Sequence, residues 1–150
     1  MIDIRTMTIL IVDDMKSMRL TLRKMLRNLE IGKELLFADN GKSGLNVLKK
    51  SDCDLLIVDW NMPEMNGSRM LANVRRDKDI RDIPVIMVTA ENERDMVADA
   101  AEYEVEGYLL KPLSLAALDS KIKSVVETAN HPEKAKLHLL EARACEEAGN

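Results

Sequence analysis

The sequence predicts an α/β fold with a parallel five-stranded sheet, on three observations. Five short apolar runs recur along the chain, at Thr8–Val12, Leu35–Ala38, Leu55–Val58, Val85–Val88 and Gly107–Leu110. They are continuous rather than alternating, as strands covered on both faces are. The segments between them carry helical spacing, so strand and helix alternate, which implies a parallel sheet with helices on both faces.

The first and last helices are the clearest. Met15, Met18, Leu22, Met25, Leu26 and Leu29 recur as one helical stripe, and so do Leu115, Leu118, Ile122, Val125 and Val126. Residues 41–51, 67–76 and 92–102 supply shorter or less cleanly amphipathic helices. The bulk composition agrees with one ordinary globular domain. The 150 residues are 46% hydrophobic and 32% charged, enough for a real core and too apolar for disorder. A formal net charge of −4 gives no support for nucleic-acid binding. No apolar run approaches the roughly 18 residues of a membrane span. The N-terminus lacks a basic segment before its apolar run, so neither membrane insertion nor a signal peptide is expected. Cys53 and Cys145 stand in no ligand-like spacing and read as reduced thiols of a cytoplasmic protein. His131 and His138 are too isolated for a zinc site. One Phe, one Trp and two Tyr leave an aliphatic core filled by methionine.

Sheets of this kind bind ligands beyond the carboxyl ends of their strands. Four of the five strand ends carry polar chemistry there: Asp13-Asp14, Asp59, Thr89 followed by Ala90-Glu91, and Lys111-Pro112. The second ends in an ordinary turn, Asp39-Asn40-Gly41. Taken singly, each has a plain structural reading: Asp13-Asp14 as a helix N-cap, Asp59 as a turn former, Thr89 as a β-former, Lys111 as a surface charge, Tyr108 as a half-buried strand aromatic. Their conjunction at one end of one sheet points to a site. Crowded carboxylates repel, and a hard divalent cation such as Mg²⁺ relieves them. A hydroxyl at Thr89 and an ammonium at Lys111 would complete a cradle for a phosphoryl group.

The segments "ILIVDD", "LLIVDWNMPEMNG", "VIMVTAE" and "GYLLKP" resemble, in order and spacing, the receiver domains of two-component response regulators. The resemblance spans about residues 7–129. It is particularly close to single-domain chemotaxis receivers, whose aspartate is also followed by Trp-Asn-Met-Pro. It implies a doubly wound, flavodoxin-like sheet of order 2-1-3-4-5. It implies Asp59 as phospho-acceptor, a carboxylate nucleophile forming an acyl phosphate. It implies Mg²⁺ held by Asp14, Asp59 and the backbone carbonyl of Asn61, with Asp13 acting through water. Thr89 and Lys111 would bind the phosphoryl oxygens, and Lys111-Pro112 would be a cis peptide. Tyr108 would turn inward as Thr89 moves, with a lightly anchored fourth helix as the moving part. Asn61 and Glu91 would tune attack by water on the acyl phosphate. The implied donor is a sensor histidine kinase or phosphotransfer protein, and the implied output a downstream protein partner.

Other classes fit poorly. "NGKSG" is no P-loop, because the required glycine is Leu36. A dehalogenase-type phosphatase would place a second aspartate where Asn61 stands. No glycine-rich dinucleotide fingerprint follows the first strand. These residues mark a phospho-acceptor with self-directed chemistry rather than a conventional enzyme. The competing reading is a receiver-fold docking module that is never phosphorylated.

The receiver is expected over residues 1–129, followed by a linker and C-terminal helix over 130–150. "NHPEK" breaks the chain, and "AKLHLLEARACEEAGN" is strongly helix-forming over about 133–148. One reading is a sixth helix packed on the receiver or used in dimerisation. The other is the first helix of a truncated helical repeat, resting on Ala142 and Gly149; the tetratricopeptide pattern's Trp, Leu and Tyr positions are occupied here by His138, Glu141 and Cys145. Deleting residues 131–150 is expected to leave urea-unfolding stability and phosphorylation nearly intact. A large loss of stability in the monomer would instead place the helix in the receiver core.

Overall fold

A computed structural model of the chain describes residues 1–90 and 105–132. Five strands, β1 (Thr8–Val12), β2 (Glu34–Ala38), β3 (Leu55–Asp59), β4 (Val85–Thr89) and β5 (Gly107–Leu110), form one sheet. All are parallel, in the order β2-β1-β3-β4-β5. The described helices are α1 (Lys16–Asn28), α2 (Gly41–Lys50), α3 (Gly67–Arg76) and α4 (Leu115–Asn130). The helix expected over 92–102 and the C-terminal helix over 133–148 lie outside the described residues.

Because side chains alternate along a strand, each strand feeds two cores. Ile9, Ile11, Leu55, Ile57, Ile86 and Val88 face one way and meet Leu22 and Leu26 of α1 and Leu118, Ile122 and Val125 of α4. Leu10, Val12, Leu56, Val58, Val85 and Met87 face the other way and meet Leu48 of α2 and Met70, Leu71 and Val74 of α3. The sheet is therefore covered on both sides, which is why its strands read as unbroken apolar runs.

Two strands run one residue further than the apolar runs. Asp59 pairs in register with Val88, and Thr89 with Leu110. Trp60 then donates its N–H to the Val88 carbonyl at 2.9 Å. Backbone pairing does not read side chains, so the ladder continues past the last aliphatic residue. Asp59 and Thr89 thus stand on rigid backbone. Met15, by contrast, leaves the expected core stripe: it is the N-cap residue of α1 and 54% exposed.

Local chemistry sets the helix starts. Asn40, Asn66 and Ser114 each accept a hydrogen bond from the backbone N–H three residues on, capping α2, α3 and α4. At the end of α4 the Asn130 amide pairs with both backbone groups of Ile2, accepting its N–H at 2.7 Å and donating to its carbonyl at 2.9 Å. This clasp ties the last turn of α4 to the N-terminal residues.

The loop from Asp59 to α3 returns tightly on itself. Gly67 donates its N–H to the Trp60 carbonyl at 2.8 Å. A Cβ at Gly67 would lie 2.6 Å from the Asp59 carbonyl oxygen and 2.9 Å from the Trp60 Cα. Both are backbone atoms and cannot swing aside. Gly67→Ala is expected to destabilise the protein by roughly 1–3 kcal/mol, read as a lower urea midpoint. An unchanged midpoint would show that the loop can yield.

Candidate functional site

The strand order sets β1, β3, β4 and β5 side by side, so their carboxyl ends share one rim. Asp13 and Asp14 follow β1, Asp59 closes β3, Thr89 closes β4 and Lys111 follows β5. The carboxylate oxygens of Asp13, Asp14 and Asp59 lie within 4.8 Å of one another. The Lys111 ammonium is 3.2 Å from Asp59 Oδ1 and 3.9 Å from Asp13 Oδ2. Asp13 and Asp59 are buried and Asp14 is exposed, so the cluster opens to solvent on the Asp14 side.

The electrostatics follow from that geometry. Burial pushes the Asp59 carboxyl up to about 6, and the neighbouring Asp13 adds to the rise, while Lys111 opposes it. Asp13 is also raised, chiefly by burial, against a hydrogen bond from the Met15 N–H at 2.9 Å. Among the described residues three carboxylates face the Lys111 ammonium, with Arg19 a weaker influence on Asp13, so negative charge remains in excess. That excess, with an all-oxygen donor set and an open side, fits a hard divalent cation. Asp13, Asp14 and Asp59 are the side chains that could hold it.

The remaining expected residues divide. Thr89 is buried at the tip next to Asp59, its hydroxyl donating to the Ala90 carbonyl at 3.3 Å. Tyr108 pairs in register with Met87, lower in the sheet, and is half-buried, with its hydroxyl pKa raised by burial. Asn61 is exposed just beyond the β3 tip. The Lys111-Pro112 peptide is cis. Glu91 lies outside the described residues.

Three supports went unread in the sequence. The Arg19 guanidinium donates to the Asp13 carbonyl at 2.8 Å, tying α1 to the rim. Asp13 uses its own carboxylate to start the turn into α1, a short-range aspartate turn rather than a helix cap. Its signal was an Asp two residues before the helix-opening Met15. Gly67 is the third, and a glycine opening a helix was the only hint of it.

The sequence profile of the response regulator receiver domain matches residues 9–123. The chain is 41% identical over 123 residues to chemotaxis protein CheY-3 of Vibrio cholerae, spanning 82% of this chain and 94% of that protein. It is also 41% identical over 124 residues to chemotaxis protein CheY of Pseudomonas aeruginosa, spanning 83% and 99%. Among solved structures, the signal receiver domain of a histidine kinase from Syntrophus aciditrophicus superposes with a TM-score of 0.75 at 27% identity, over 84% and 94% of the two chains. Vibrio cholerae CheY4 superposes with a TM-score of 0.74 at 28% identity, over 80% and 98%. The fold and the clustered strand ends define a receiver. This chain belongs to the response regulator receiver family, a signalling family and not a classical enzyme family, and its relatives are of the chemotaxis type. Among the described residues no helix is long and apolar enough to cross a membrane.

The raised Asp59 pKa has a consequence for the metal-free protein. A carboxyl shifted from 3.8 to about 6 binds its proton more tightly folded than unfolded. The stabilisation this gives is complete below about pH 4 and is lost as pH rises through about 6. Asp59→Asn removes the ionised state, so it is expected to stabilise the metal-free protein at pH 8 by roughly 1–3 kcal/mol and much less at pH 4. Urea unfolding with chelator at the two pH values checks this; a destabilised variant at pH 8 would contradict it.

Proposed function

We propose that Asp59 is the phospho-acceptor of this receiver and that the chain relays a two-component signal through protein contacts. The observation carrying the proposal is the Lys111 ammonium 3.2 Å from Asp59 on a buried rim that also holds Asp13 and Asp14. An Asp59 carboxylate oxygen attacks the phosphorus of a phosphohistidine on a sensor histidine kinase or phosphotransfer protein. The new O–P bond forms as the N–P bond breaks, and its electron pair stays on the imidazole. Burial and the rigid β3 backbone hold the nucleophile in place. Lys111 neutralises charge on the phosphoryl oxygens, and the Thr89 hydroxyl donates to one of them.

Mg²⁺ fits the cluster of Asp13, Asp14 and Asp59, with the Asn61 carbonyl as a further donor, and supplies charge neutralisation and phosphoryl alignment when bound. Asn61 at the β3 tip, with Glu91, is proposed to tune the later attack of water, which returns Asp59 and free phosphate. Tyr108, half-buried two residues before the β5 end, is proposed to follow Thr89 when the phosphoryl group arrives. The receiver unit is assigned to about residues 1–129, with 130–150 as linker and C-terminal helix, available for dimerisation. A cytoplasmic location suits the donor chemistry and the half-buried, unpaired Cys53.

Incubation with acetyl phosphate and Mg²⁺ should add one phosphoryl group by mass spectrometry. Asp59→Asn, or chelation of the metal, should abolish the gain. Wild-type protein that gains nothing would favour a docking module that is never phosphorylated; a gain surviving Asp59→Asn would move the acceptor elsewhere.

A further inference from the structure

Two surfaces away from the phosphoryl site carry opposite charge and matching apolar content. α1 contains five cations, Lys16, Arg19, Arg23, Lys24 and Arg27, and no carboxylate. Arg19 is engaged with Asp13, and Arg27 reaches the Gly32 carbonyl at 3.4 Å. Arg23 and Lys24 have no ion-pair partner among the described residues. They flank Leu20, which is 44% exposed, in a shallow depression on the outer face of the helix.

The other surface lies at the amino ends of β3 and β4, on the α2 and α3 side of the sheet. The loops over 51–54 and 77–83 enclose a hollow of about 350 Å³. Its floor is apolar, built by Leu48, Ile80 and Ile83, and its rim carries Asp52, Asp79 and Asp82. None of these three carboxylates has an ion-pair partner among the described residues. Asp54 also lines the hollow and is engaged by the Thr8 N–H at 2.9 Å. Among the described residues no cation lines it; the neighbouring Lys49 is turned to Asp77 at 3.7 Å. The Cys53 thiol inside is pushed up to about 11 by burial and then by Asp54, Glu34 and Asp52, which reports a negative local potential.

We propose that these two surfaces are complementary halves of one contact, in which α1 of a second copy of this chain seats Leu20 over the hollow and sets Arg23 and Lys24 against its carboxylate rim. Charge complementarity identifies the occupant. The chain is acidic overall, yet it concentrates unpaired cations around one exposed leucine and unpaired carboxylates around one apolar hollow. The two faces lie on opposite sides of the sheet, since Leu22 and Leu26 of α1 pack in one core and Leu48 and Ile83 in the other. One copy can therefore use both at once. Such a contact is heterologous, and it propagates head to tail rather than closing as a two-fold dimer. Its small, charged footprint makes it weak and sensitive to salt.

Sedimentation velocity of the full 150-residue chain over a concentration series tests this. At about 0.1 M salt the wild type should grow beyond the monomer with concentration. At about 1 M, where the Debye length falls from roughly 10 to 3 Å, it should not. Arg23→Glu with Lys24→Glu removes one face, and Asp79→Lys with Asp82→Lys removes the other. Each double variant, folded by circular dichroism, should weaken association at least about tenfold. An equimolar mixture of the two should recover association, because the intact hollow of the first variant meets the intact α1 of the second. A wild type that stays monomeric at low salt overturns the proposal. So does association that both double variants retain, or a mixture that associates no better than either variant alone.

Discussion

A buried carboxylate persists only where its charge is met, and in this protein two buried aspartates share one lysine. Lys111 lies 3.2 Å from Asp59 and 3.9 Å from Asp13, so the ends of β5, β3 and β1 are drawn to one point. The ammonium offsets part of the desolvation cost and leaves the rest, which is why burial still raises both carboxyls. The sheet supplies what this arrangement needs. Parallel strands deliver all their carboxyl ends to one rim, and two aliphatic cores fix the strands so that the like charges cannot drift apart.

The loop after Asp59 is held by the same cores. Trp60 and Met62 are buried, and Asn61 between them is exposed. The alternation anchors the loop to the core on both sides of the one residue that points outward at the rim. Gly67 then lets the chain return against Asp59 and Trp60, where any side chain would strike backbone. The backbone that carries Asp59 is closed by the residue with the least bulk.

The strands were legible because both faces of the sheet are covered, so burial wrote itself into the sequence as continuous apolar runs. The clustering of Asp13, Asp14, Asp59 and Lys111 was legible for a related reason, since topology alone places successive strand ends together. What the sequence concealed was interaction by backbone. Asp59 and Thr89 lie within their strands because the ladder ignores side chains. Met15 fits a helical stripe yet precedes the helix, because the Asp13 carboxylate takes its N–H and turns the chain there. The Arg19 contact to the Asp13 carbonyl and the Asn130 clasp on Ile2 join residues whose identities advertise nothing about those partners.

On the proposed chemistry, the charge balance of the rim would let it act as a switch. Asp59 carries one negative charge when ionised, and its phosphorylated form carries close to two, with acceptor oxygens displaced outward from the carboxylate. Lys111 is shared between Asp59 and Asp13 before the reaction, at unequal distances that leave it the nearer to Asp59. A larger charge at the β3 tip pulls the ammonium further from Asp13 and invites a hydroxyl donor from the adjacent β4 tip. Thr89 stands there, buried on a strand whose residues pair with neighbours on both sides. The strand backbones are held by two cores, so the response to the added charge falls on the Lys111 and Thr89 side chains at the rim rather than on the sheet beneath them.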